Sequence, residues 1–99
     1  MLVNVVFDEE ETDLDVIEIP ESLVKDIGRI QQMFFEWLYD KKNNHGYLVR
    51  IDGFEGYSYA TEEFVKWIND NLIDDNSEKA KIVCPHLTEL SNDYPTIYF

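Results

Sequence analysis

Ninety-nine residues, 44% of them apolar and including six Phe, six Tyr and two Trp, suffice for one globular domain, residues 1–99, with its own core. Twenty-one Asp and Glu against eight Lys and Arg give a formal charge of −13, which repels nucleic-acid phosphates and anionic membranes and attracts basic proteins. The aromatic content speaks against a disordered polymer, and no apolar run of about 18 residues offers a membrane-spanning helix.

Leu2 to Phe7 holds three Val and a Phe and predicts an interior strand. The start of the chain lacks the basic region and cleavage site of a signal peptide, and Cys84 is the sole cysteine, so the expected compartment is the reducing cytoplasm. Asp8 to Asp15 follows, six acids among eight residues, and mutual repulsion predicts an exposed loop. Val16 to Ile19 alternates as a second strand and stops at Pro20.

A helix is expected to start at Pro20 or Glu21 and reach Lys42, with Leu23, Ile27, Ile30, Phe34, Trp37 and Leu38 on one buried stripe. Asn43, Asn44, His45 and Gly46 then tolerate positive φ and stop it. Tyr47 to Ile51 predicts a strand, residues 52–56 a hairpin connection, and Tyr57 to Ala60 the returning partner with both tyrosines on one face. Thr61 is the expected helix cap, followed by Phe64, Trp67, Ile68 and Leu72 on a second stripe. Lys79 to Cys84 alternates as a strand ended by Pro85, with Cys84 on the buried phase, and Thr96 to Phe99 suits a short closing strand.

The order β-β-α-β-β-α-β predicts an α+β fold: a mostly antiparallel sheet of about five strands, both helices on one face and the other face open. No repeat and no Pro- or Gly-rich linker divides the chain.

Neither a cofactor nor a metal is expected. The acidic stretches lack the spacing of a calcium loop, and Cys84, His86 and His45 are too few for a zinc site. No nucleophile, base and orienting group assemble, and no phosphate-cradling glycine loop is present, so the chain is not expected to be an enzyme.

What stands out is acid gathered into patches. They are Asp8, Glu9, Glu10, Glu11, Asp13 and Asp15; then Asp70, Asp74, Asp75 and Glu78; then Asp52 and Glu55 on the hairpin. Acid at the end of the second helix opposes the macrodipole, which suggests use at an interface; the plainer reading is a charge that keeps the chain dissolved. Tyr57, Tyr59 and Tyr94 are the candidate aromatic anchors, though sheet packing would also account for them.

Small, acidic α+β chains without catalytic motifs resemble the immunity proteins of bacterial toxin–immunity systems, including contact-dependent growth inhibition. The segment from Phe35 to Tyr47 is similar to a stretch of small bacterial proteins of that kind. The resemblance implies neutralisation of a basic toxin domain, often a nuclease, by covering its groove, and it assigns no particular residue. Two other classes fit the composition: a nucleic-acid mimic that inhibits a defence or restriction protein, and a small structural adaptor.

Overall fold

The computed structural model describes residues 1–7, 13–40, 42–73 and 78–99. Six strands and two helices run in the order β1 (Leu2–Val6), β2 (Leu14–Glu18), α1 (Ile27–Tyr39), β3 (Leu48–Ile51), β4 (Phe54–Tyr57), α2 (Thr61–Asn71), β5 (Lys81–Leu87) and β6 (Thr96–Tyr98). They form an α+β fold, but not around one antiparallel sheet of five strands. The main sheet has four strands in the order β5-β2-β1-β6, and β3 and β4 form a separate two-stranded ribbon. The main sheet is mixed, because β1 pairs antiparallel with β2 and parallel with β6.

Alternation explains which side of the sheet the helices take. Val3 and Val5 on β1, Ile17 on β2 and Ile97 on β6 share one face and meet Ile30, Phe34 and Leu38 of α1 and Phe64, Trp67 and Ile68 of α2 in one core. Both helices therefore cover the same face. Phe34 is the hub, with the rings of Trp37, Tyr59, Phe64, Trp67 and Phe99 all within 6 Å of its own. These contacts are mostly edge-to-face, the arrangement that ring quadrupoles favour.

The opposite face is not the open surface expected from one layer of helix on one of sheet. Asn4, Val6, Leu14 and Val16 lie there in register and are all buried. The chain between β5 and β6 meets this face at Asn4, whose amide donates to the Ser91 carbonyl at 2.8 Å and, at the start of β6, to the Thr96 hydroxyl at 3.3 Å. An apolar back face has to be covered, and at Asn4 the segment holding Ser91 and Tyr94 does so.

Local departures from the expected boundaries have local causes. The segment Glu21–Asp26 is a 3-10 helix, and α-helix begins only at Ile27. The helix ends at Tyr39, short of Lys42, and Lys41 lies outside the described residues. Asp52 and Gly53, with φ of 51° and 84°, make a two-residue turn, so β4 starts at Phe54 instead of Tyr57. β5 continues past Pro85 to Leu87: between the pairs Val16↔Cys84 and Leu14↔Leu87 it holds one more residue than β2. That bulge, on an edge strand, accommodates both Pro85 and the φ of 56° at His86. Cys84 is exposed, not the buried small hydrophobe that its phase suggested. Its strand is an edge, and the bulges break the alternation on which that expectation rested.

Candidate functional site

Two surfaces gather the residues that the sequence singles out. One is a cleft of about 280 Å³ where the start of β2, the bulge of β5 and the start of α2 converge. Phe7, Asp13, Asp15, Tyr59, Thr61, Glu62 and His86 line it. The other is the β3–β4 ribbon with the loop beneath it.

In the cleft, the acids divide by role. Asp15 is not an exposed loop residue; it lies in β2 and is half-buried. One of its oxygens accepts the His86 backbone N–H at 2.9 Å, and the other accepts the Thr61 hydroxyl. It thus ties the β5 bulge to the first residue of α2. Thr61 is that first helical residue and not the cap; the Ala60 N–H is met at 2.8 Å by the Glu63 carboxylate.

Asp13 is exposed and its carboxylate lies 3.2 Å from His86 Nδ1. Glu62 is exposed on the first turn of α2, where the macrodipole favours it. No Lys or Arg lines this cleft among the described residues. Asp8, Glu9, Glu10 and Glu11 adjoin it along the chain and lie outside the described residues, as do Asp74 and Asp75.

Tyr59 is half-buried and packs on Phe34, Phe35, Phe7 and Phe99. Burial, with the Tyr39 phenol as a lesser cause, pushes its hydroxyl above the ordinary tyrosine range. It is part of the core's rim and not a free anchor. Tyr94 is half-buried too, and its carbonyl accepts from the Asn4 amide at 3.4 Å.

The ribbon carries Asp52 exposed at its turn and Glu55 in an ion pair with Arg50 at 2.8 Å. Tyr57 is half-buried, its ring 4.9 Å from that of Tyr39 and 5.8 Å from His45. Leu48, Arg50, Glu55 and Tyr57 share the ribbon's inner face, and with Asp40, Asn43 and His45 they enclose a cleft of about 420 Å³. Glu78 is exposed just before β5 and lines neither cleft.

The loop from α1 to β3 is held by side chains that satisfy the helix's last carbonyls. Asn43 donates to the Trp37 carbonyl at 2.8 Å. His45 Nε2 donates to the Leu38 carbonyl at 2.9 Å, while Nδ1 accepts the Tyr47 N–H at 3.0 Å. With Trp37 and Tyr47 rings each 4.8 Å away, His45 pins the root of the ribbon to the end of α1.

Sequence reasoning missed the ribbon's outer face. Val49, Ile51 and Phe54 lie there with Gly56, and Ile51 and Phe54 are 68% and 79% exposed. A signal was present: Leu48, Val49 and Ile51 put apolar groups on both faces of a strand that was expected to join the main sheet. Among the described residues no group of three or more His, Cys, Asp or Glu is placed to hold a metal ion. No helix of the described residues is long and apolar enough to cross a membrane. Comparison with known protein families, curated proteins and solved structures finds no match.

Proposed function

We propose that this chain is an acidic binding protein that docks on a basic partner and neutralises it, acting by stoichiometric contact as an immunity protein does toward a toxin domain. One observation carries the reading: the cleft formed by β2, β5 and α2 collects Asp13, Asp15 and Glu62 with no Lys or Arg in its lining among the described residues, and the four consecutive acids Asp8 to Glu11 adjoin it in the chain.

Desolvating a carboxylate cluster that has only His86 and hydrogen-bond donors beside it is unfavourable unless cations arrive with the partner, so such a surface selects a complementary one. A groove built to hold phosphates is basic and meets that condition, which is why a nuclease domain is a suitable target. Asp15 serves the cleft from below, as a fixed negative floor held by its two hydrogen bonds. Asp13, Glu62 and the run before them supply the charge that a partner would touch.

The test is recovery of the tagged chain with its bound protein from its own cells, followed by purification of that protein. The expected partner is basic, loses its own activity when the chain is added, and associates about tenfold more slowly as salt rises from low to physiological levels. The combined substitutions Asp13→Asn, Glu62→Gln and neutralisation of Asp8 to Glu11 should slow association similarly and leave the fold intact. A partner that is acidic, or whose association ignores both salt and these substitutions, overturns the reading.

A further inference from the structure

Four of the eight large hydrophobic side chains exposed among the described residues, Leu48, Val49, Ile51 and Phe54, sit on the β3–β4 ribbon. Single exposed apolar residues are ordinary; a group of them on one projecting element is not. The register places Val49 opposite Gly56 and Ile51 opposite Phe54, so these side chains share the outer face. Gly56 adds no bulk there, and beyond its two chain neighbours no residue comes within 4 Å of where a Cβ would stand. The result is an apolar ridge, Ile51 and Phe54, beside a notch.

The ribbon is held from behind. Tyr47 and Tyr57 pack against the core, His45 clamps the root, and the Arg50–Glu55 pair spans the inner face. A face held in one shape loses little freedom on binding, which is what an anchor needs.

Charge selects the occupant. The ribbon's one cation, Arg50, is on the inner face and neutralised by Glu55, while Asp52 lies between Ile51 and Phe54 with no ion pair among the described residues. A second copy would bring −13 against −13, and an anionic membrane would be repelled as well.

We propose that Val49, Ile51 and Phe54 form an apolar anchor for a protein surface that is apolar at its centre and rimmed by Lys or Arg. The proposal rests on the basic-partner reading and adds a second contact to it: the acidic cleft speeds encounter, and the ribbon slows release.

Three synthetic peptides serve as probes in titrations of the isotope-labelled chain followed by amide resonances. The first has a Leu-Phe-Val core flanked by paired lysines, the second has the same core flanked by glutamates, and the third alternates lysine with serine. The lysine-flanked core should shift the amides of residues 49–54 and bind about tenfold more weakly to Phe54→Ser and to Ile51→Ser. The glutamate-flanked core should not bind. The lysine–serine peptide should shift residues around Asp13 and Glu62 instead, with steep salt dependence.

Equal binding of the lysine-flanked core to Phe54→Ser, or shifts confined to other elements, overturns the anchor. Equal binding of the glutamate-flanked core overturns the cationic rim. Ribbon shifts that grow with the chain's own concentration, without peptide, would make the occupant a second copy and overturn the proposal. If only the lysine–serine peptide binds, the anchor fails and the acidic reading stands; if the lysine-flanked core binds the ribbon and the lysine–serine peptide does not bind, the acidic reading fails.

Discussion

Two hairpins in this chain are written in nearly the same alphabet and meet opposite fates. β1 and β2 carry Leu-Val-Asn-Val-Val and Leu-Asp-Val-Ile-Glu, and seven of their ten residues, drawn from both faces, are buried. β3 and β4 carry Leu-Val-Arg-Ile and Phe-Glu-Gly-Tyr, and six of their eight residues are exposed. Strand propensity is similar in the two. What differs is the neighbours: β1 and β2 are the two central strands of the main sheet, with helices on one face and a loop on the other, whereas each strand of the ribbon pairs only with the other. A hydrophobic strand is thus core or contact surface according to what its sequence-distant partners supply.

Substitutions in the two regions should separate these fates, the largest effect falling at the hub of the core. Phe34→Ala removes the ring on which both helices and Phe99 converge, and should cost about 3–5 kcal/mol of stability in denaturant unfolding. Next comes the tie between sheet and helix: Asp15→Ala leaves the His86 N–H and the Thr61 hydroxyl without their acceptor, an expected loss of about 2–3 kcal/mol. Thr61 is buried, so Asp15→Asn, which keeps an acceptor, should recover part of that loss.

His45→Phe preserves an aromatic ring against Trp37 and Tyr47 but deletes both hydrogen bonds at the ribbon's root, for about 1–2 kcal/mol. Hydrogen exchange should show the effect confined to residues 47–58. An equal acceleration across β1 and β2 would mean that ribbon and sheet unfold as one unit. Smallest of all, Phe54→Ser should change stability by less than about 0.5 kcal/mol, because its ring is already in water. A loss near that of Phe34→Ala would show that the ring is buried after all.

Most of the elements were legible because their signals are local. The stripe of α1, the Asp52-Gly53 turn and the apolar run of β1 each follow from residues within one or two turns of one another. The pairing of β1 with β6, the bulge at His86 and the loop over Asn4 each depend on segments more than 70 residues apart, and no local pattern encodes them. The acidic surface was legible as composition and only partly as a site: Asp13 and Asp15 do share a cleft, but Asp15 turned out to be a structural acceptor and Glu78 stands elsewhere. Tyr57 and Tyr59 were recognisable as aromatic but not as rim residues of the core, because burial depends on Phe34 and Tyr39 across the fold.

The parallel pairing of β1 with β6 sets an order of events during synthesis. β1 emerges well before its neighbour on one side, residues 96–98, and Phe99 donates to the Val6 carbonyl at 2.8 Å. Closing so long a loop is entropically slow, so the sheet's centre is finished only when nearly all of this segment has left the ribosome. Until then β1 offers a bare hydrogen-bonding edge at Asn4 to Val6, the form most prone to stick to other nascent chains. The demand such a chain makes on chaperones is therefore written into its strand order.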